Sequence, residues 1–375
     1  MPTGPAATAR LNHTATLLAN GSVLLVGGFG AAALSSVELY NPASGLFTAV
    51  SPLSTARNLH TSTLLPSGKV LVVGGSDGTN FFSSSELFDP ATKLFTFSGP
   101  LTNARYSHTA NLLPNGKILI TGGYNSGGYL ASSELYDPAT GTFSASGAMA
   151  SAKDSQTATV LPNGNILVAA GFNGGFFSNA EVYDPISQTF FTTGSLSMGR
   201  AGNTSTLLPS GKVLVTGGVN SGVYLSAAEL YDPGLATRPA FVPTLSLTQT
   251  LPRGRISTFS GSLLTGISES SRSNAQSSHS DFPLLSLLRQ DNELLTVVPV
   301  RTWSATGASW TVPSSLPLGQ YWGRVFVNGI ASNGSPVSIT DLGQSCASPA
   351  TCSTGFCFND VCCKSSCGGA AKLVP

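Results

Sequence analysis

The chain has 375 residues, of which 41% are hydrophobic and 9% charged, and its net charge is +1. So near-neutral a balance leaves no basic patch to hold a nucleic-acid backbone. No apolar run approaches the ~20 residues needed to span a bilayer, and residues 1–20 do not form a signal peptide.

A repeat dominates the first two thirds. Arg10, Arg57, Arg105, Lys153 and Arg200 fall 47, 48, 48 and 47 residues apart, each opening a stretch of the type Arg-x-x-His-Thr-Ala-x-Leu-Leu-Pro-Asn-Gly-Lys-Val-Leu-Val-x-Gly-Gly. A period near 48 made of short apolar runs and turn signals is that of a β-propeller, one four-stranded blade per repeat. The first strand is the alternating run Thr61 to Leu65, ended by Pro66-Ser67-Gly68. Asn20-Gly21, Asn115-Gly116, Asn163-Gly164 and Ser210-Gly211 close it in the other copies, as tight hairpins require. The second, Val70 to Val73, is apolar throughout, as expected of a strand covered on both faces, and stops at Gly74-Gly75. A third strand follows at Glu86-Leu87-Phe88, and a fourth carries Phe95, with equivalents Phe47, Phe143 and Phe190.

The double glycine, the downstream Glu-Leu-Tyr-Asp-Pro (Glu134 to Pro138, Glu229 to Pro233) and the late aromatic resemble kelch repeats, especially those of galactose-oxidase-like propellers. The resemblance covers residues 1–242 and implies a kelch-type β-propeller. It leaves activity open, because kelch proteins range from enzymes to interaction modules. Such propellers usually have six or seven blades, and five repeats are recognisable here. Gly4 to Arg10 reads like Gly99 to Arg105, the end of one blade running into the next, so blades upstream of Met1 are one expectation and a five-blade ring the other.

From Pro243 the repeat disappears. Strands are expected at Ser257 to Leu263, Leu284 to Leu288, Leu294 to Val298, Ser309 to Val312, Tyr321 to Val327 and Val337 to Ile339, spacings typical of an antiparallel sandwich. Residues 243–341 resemble the immunoglobulin-like domain found behind galactose-oxidase-like propellers, with Leu316 to Tyr321 leading into Val325 to Gly329 as the best local match. Ser268 to Ser280 is expected as a long polar loop.

All six cysteines (Cys346, Cys352, Cys357, Cys362, Cys363 and Cys367) lie within residues 342–375. An even number packed so closely reads as a small disulfide knot in an exported protein, with fifteen pairings open; a zinc site is the alternative. The tail resembles cysteine-rich modules at the ends of myxobacterial surface and secreted proteins. An extracellular or cell-surface setting is the expectation.

Galactose oxidases use copper bound by tyrosines and histidines, one tyrosine being crosslinked to cysteine. Residues 1–345 hold no cysteine, and after Leu287-Leu288-Arg289 no histidine follows, so no cofactor is expected. His13, His60 and His108 occupy one repeat position, replaced by Gln156 and Asn203, and are expected to hydrogen-bond a neighbouring blade's backbone; His279 is expected in solvent. Arg10, Arg57, Arg105 and Arg200, with Lys153, are expected to pair with the recurring Glu38, Glu86, Glu134, Glu181 and Glu229; a cationic ring for an acidic ligand is the alternative.

Binding is expected in the variable loops after the double glycines, through Asp77, Asn80, Phe81, Asn125, Tyr129, Asn173, Phe176, Asn220 and Tyr224. Phe81, Tyr129, Phe176 and Tyr224 also recur five residues before each glutamate, as packing residues would. The expectation is a non-enzymatic monomer binding a protein or glycan ligand. The rival is a carbohydrate-active enzyme using Asp77 or Asp154.

Overall fold

The computed structural model describes residues 3–208, 211–232, 243–247, 250–262, 271–272, 284–290, 295–304, 306–327, 330–340, 357–358 and 361–362. Every regular element among them is a β-strand, so no helix is long and apolar enough to cross a membrane. The chain divides into two compact units. One is Met1–Phe241 with Ile267–Asp281; the other is Val242–Gly266 with Phe282–Pro375.

In the first unit each repeat forms one antiparallel sheet. Blade 2 consists of Thr61–Leu64, Val70–Val73, Ser85–Asp89 and Leu94–Ser98, paired in that order. Its first turn closes with Leu65 N–H donating to the Lys69 carbonyl at 2.8 Å. Blades 1, 3 and 4 repeat the pattern, and three strands of blade 5 are described: Thr204–Leu207, Val213–Thr216 and Ala228–Tyr231. First strands of consecutive blades lie side by side, from blade 1 to blade 5.

The core is a series of seams between blades. One face of blade 2 (Leu71, Val73, Leu87) meets the opposite face of blade 3 (Leu112, Ile118, Ile120, Tyr136). Leu119 and Leu135 then carry blade 3 against Val160, Ile166, Val168 and Tyr183 of blade 4. With a blade on either side, the middle strands Val70–Val73, Ile118–Thr121 and Ile166–Ala169 are buried at every residue, which is why their sequence does not alternate. In the outer two strands of a blade, Tyr136 and Phe143 pack tilted against each other at 4.9 Å between ring centroids, as do Tyr183 and Phe190.

Glycine ends the second strand because the next blade arrives there. At Gly122, φ is +66°, and an added Cβ would lie 2.7 Å from the Lys153 carbonyl oxygen.

The Ser-rich segment is more than a polar loop: Ser271–Arg272 pairs antiparallel with Thr61–Leu64, joining the sheet of blade 2 at its inner edge. The rest of that expectation, His279 included, lies outside the described residues.

The second unit is a β-sandwich. Thr244–Leu247, Ile256–Ser262 and Gly307–Thr311 form one sheet with the later half of Leu295–Trp303. The earlier half of that strand joins Leu284–Arg289, Gly319–Val327, Ser335–Thr340 and Thr250–Pro252. A register shift between Val300 and Thr302 lets one strand serve both sheets. Trp310, Phe259, Leu285, Leu287, Tyr321 and Val325 are buried between them. Tyr321 Oη donates to the Pro317 carbonyl at 2.8 Å, pinning the turn into its own strand. The strands Thr244–Leu247 and Thr250–Pro252 were not anticipated from the sequence.

In the tail, Cys357–Phe358 pairs with Val361–Cys362. The disulfide expectation rests on cysteine side chains, which lie outside what is described.

Candidate ligand-binding face

The recurring charges are turned inward. Arg105 Nη1 donates to the Gly122 and Ser132 carbonyls at 2.9 and 3.0 Å, and Nη2 reaches Glu134 Oε1 at 2.8 Å. The same pairing joins Arg10 to Glu38, Arg57 to Glu86, Lys153 to Glu181 and Arg200 to Glu229. The second carboxylate oxygen accepts a backbone N–H from the connecting chain that comes in from the preceding blade: Ser54 to Glu86, Thr102 to Glu134 and Ala150 to Glu181, at 2.9, 2.8 and 2.7 Å. Burial pulls the Arg57, Arg105 and Lys153 cations below their ordinary pKa values, opposed by their glutamates. These cations are spent on clasping each sheet to its incoming chain, and they do not form a ring open to an acidic ligand.

The seam histidines are likewise internal. His60 Nε2 shares a hydrogen with Thr14 Oγ1 at 3.0 Å, and His108 Nε2 with Thr61 Oγ1 at 2.9 Å. Their partner is therefore a neighbouring blade's hydroxyl, whereas Gln156 at the same position donates to the Thr121 carbonyl at 2.9 Å. Burial, reinforced by the Arg57 charge and then His13, pushes the His60 imidazole down to about 3.

Just before this position the chain takes a left-handed step, at Asn12, Leu59, Ser107 and Ser155, with φ between 51° and 54° in each. Such angles are costly for leucine and serine. They are held by a relay across blades: Leu59 N–H donates to the Asn12 carbonyl, Ser107 to Leu59, Ser155 to Ser107 and Gly202 to Ser155. The step presents the residue before it to the loop after the double glycine, in the backbone bridges Asn58 to Ser76, Tyr106 to Tyr124, Asp154 to Phe172 and Ala201 to Val219. Leu11, Asn58, Tyr106, Asp154 and Ala201 thus share one repeat position and differ in chemistry. Apart from Asp154, sequence reasoning passed them over; their variability inside a constant motif was the available signal.

Of the residues expected to bind, the amides serve the loops. Asn125, Asn173 and Asn220 each donate through Nδ2 to the carbonyl 21 residues earlier, of Ala104, Ala152 and Gly199, at 2.9, 2.9 and 2.6 Å. Asp77 Oδ1 accepts from the Thr79 and Asn80 backbone, and Asn80 Nδ2 donates to Asp77 Oδ2; these bonds, led by the Asn80 side chain, hold the Asp77 carboxyl below its ordinary range. The aromatics, by contrast, come together. Phe81 stacks on Tyr106 at 5.4 Å between centroids, Tyr106 meets Tyr124 at 5.7 Å, and Tyr124 meets Tyr129 at 4.9 Å. Tyr129 meets Phe172 at 5.9 Å, and Phe172 meets Phe176 at 5.0 Å. All six are half-buried, so each packs on its neighbour and keeps part of its ring in solvent. Burial and then the Asp154 charge push the Tyr106 phenol up, placing a carboxylate beside the belt. Tyr224 stands apart, 88% exposed.

The copper centre implied by the galactose-oxidase resemblance does not fit these residues. His60 and His108 are buried in separate seams against threonines, and among the described residues no group of three or more His, Cys, Asp or Glu is placed to hold a metal ion.

Residues 105–149, which include the four strands of blade 3, match the family model of the Kelch motif. With the all-β sheets, this establishes a kelch-type β-propeller. One similar solved structure is a fungal alcohol oxidase of the AA5 family in complex with copper; it has 15% sequence identity and a TM-score of 0.44, over 88% of this chain and 85% of that one. No curated protein matches the chain.

Proposed function

We propose that this is an exported, non-catalytic recognition protein that takes a glycan or protein ligand on the loop face of its propeller. The observation that carries the reading is the aromatic belt from Phe81 to Phe176: six partly exposed rings contributed by three blades, on a frame whose recurring cations and glutamates are already paired. Such rings stack on the apolar faces of sugars or grip apolar side chains, and a rigid scaffold lowers the entropy cost of presenting them. Kelch repeats are a common scaffold for interaction, which agrees with this use. Export is proposed from the clustered cysteines and the low charge.

A glycan-array screen and a protein-capture screen with the full chain, run beside metal analysis, test it. Saturable binding without turnover supports the reading. Stoichiometric copper with oxidation of an alcohol substrate would replace it with the enzymatic alternative.

A further inference from the structure

The aromatic belt has a carboxylate set into it. Asp154 occupies the repeat position that Tyr106 holds one blade earlier, and the relay bond from Ser155 N–H to the Ser107 carbonyl, at 3.2 Å, draws the two positions together. A backbone bridge couples Asp154 to Phe172, whose ring meets Tyr129 at 5.9 Å, and another couples Tyr106 to Tyr124. The electrostatics agree: after burial, Asp154 is the largest influence raising the Tyr106 phenol, followed by Tyr124 and Tyr129. Of Leu11, Asn58, Tyr106, Asp154 and Ala201, which share this position, Asp154 alone is a carboxylate, and it falls inside the belt.

Among the described side chains of the blades, the cations lie elsewhere. The recurring arginines and Lys153 are spent in their clasps, and Lys69, Lys93, Lys117 and Lys212 sit in hairpin turns at the opposite ends of the strands. Such a face suits a cation: the rings present negative π-faces, the phenol oxygens accept N–H, and the carboxylate adds a charged acceptor. The loops already make this contact internally, with Arg57 over the Phe82 ring at 5.3 Å and Lys153 Nζ over Phe177 at 5.8 Å.

We propose that the belt takes a protein partner by a basic side chain, a lysine or arginine flanked by apolar residues, whose cation sits against Asp154 and the rings of Tyr106, Tyr129 and Phe172. This deepens the reading above and rests on the belt being the binding surface. A carboxylate offers about four lone-pair sites, so Asp154 can accept the cation alongside the bonds it makes within the protein. One such acceptor in a belt of rings favours a single cation with apolar neighbours over a polyamine or an amino-sugar chain, whose charges recur along their length. Asp77, at the Phe81 end, spends both oxygens on its own loop.

Calorimetric titration of the full chain with capped synthetic peptides tests this. The probes are one leucine- and serine-flanked sequence whose central residue is lysine, arginine, glutamine or glutamate. The lysine and arginine peptides should bind about tenfold or more tighter than the glutamine peptide, with glutamate weakest. Asp154→Asn should erase that preference with little change in Tm, and Tyr129→Ser should weaken binding of every peptide. Asp154→Ala, which copies Ala201 of blade 5, replaces Asp154→Asn if melts show that the latter does not fold. Lysine and glutamine peptides bound equally would overturn the cation, while their shared loss in Tyr129→Ser would leave the belt standing as the binding surface. A preference that survives at Asp154→Asn, no binding of any peptide, or binding of a glucosamine oligomer in their place would each overturn the proposal as well; the glycan and capture screens judge the belt separately.

Discussion

Lys153 Nζ lies 3.3 Å from Asn179 Oδ1, and Asn179 stands where blades 1 to 3 place Ser36, Ser84 and Ser132 beside an arginine. An ammonium cannot reach two carbonyls and a carboxylate as a guanidinium fork does, and the longer asparagine supplies the acceptor that the lysine can use. The two exchanges within one repeat are a single event in packing.

Lys153→Met is expected to destabilise the propeller by about 3–5 kcal/mol, because Glu181 is left as a buried charge with no cation. Lys153→Arg alone should cost less, and adding Asn179→Ser should recover part of the loss, with a coupling of roughly 0.5–3 kcal/mol. Urea unfolding of the four chains gives the cycle. Additive effects would show that the two positions are independent.

The His60 imidazole is held near 3, against an ordinary value of 6.5, so the unfolded chain binds a proton that the folded chain refuses between those limits. Stability is therefore complete above about pH 6.5 and falls as pH drops toward 3, by about 4 kcal/mol over the whole range. Burial lowers His13 in the same direction. His60→Gln, the residue that blade 4 carries at Gln156, should flatten the decline in Tm between neutral and acid pH. An unchanged slope would assign the acid sensitivity elsewhere.

Gly122 and Gly217 have φ of +66° and +65°, so alanine meets the same backbone cost at each, about 1 kcal/mol. Only at Gly122 does the new methyl run into the next blade. Gly122→Ala should therefore lower stability by roughly 2 kcal/mol more than Gly217→Ala, read from paired melts. Equal losses would mean that blade 5 is covered as blade 3 is.

The blades were legible because a blade repeated five times writes the same residue classes at the same intervals, from Arg105 and Glu134 to Tyr136 and Phe143. The binding face was only half legible. Phe81, Tyr129 and Phe176 could be picked from loops, but Tyr106 and Phe172 join them through inter-blade geometry that no local pattern encodes. Asn125, Asn173 and Asn220 looked like ligand donors because a polar residue in a variable loop reads the same whether it faces solvent or a carbonyl 21 residues earlier. The short strand Ser271–Arg272 was hidden for a similar reason: its pairing partner, Thr61–Leu64, lies some two hundred residues away, and a serine-rich run carries no strand signal of its own.

The central claim is that recurring residues hold the blades together while the aromatic belt binds. Its most direct test is the double variant Tyr129→Ser with Phe176→Ser, measured for affinity toward whichever ligand the screens identify and for Tm in parallel. A loss of affinity of about tenfold or more, with Tm shifted by only a few degrees, is expected from two lost stacking contacts. Unchanged affinity, with the loss appearing instead on a seam substitution that leaves the fold intact, would contradict the account.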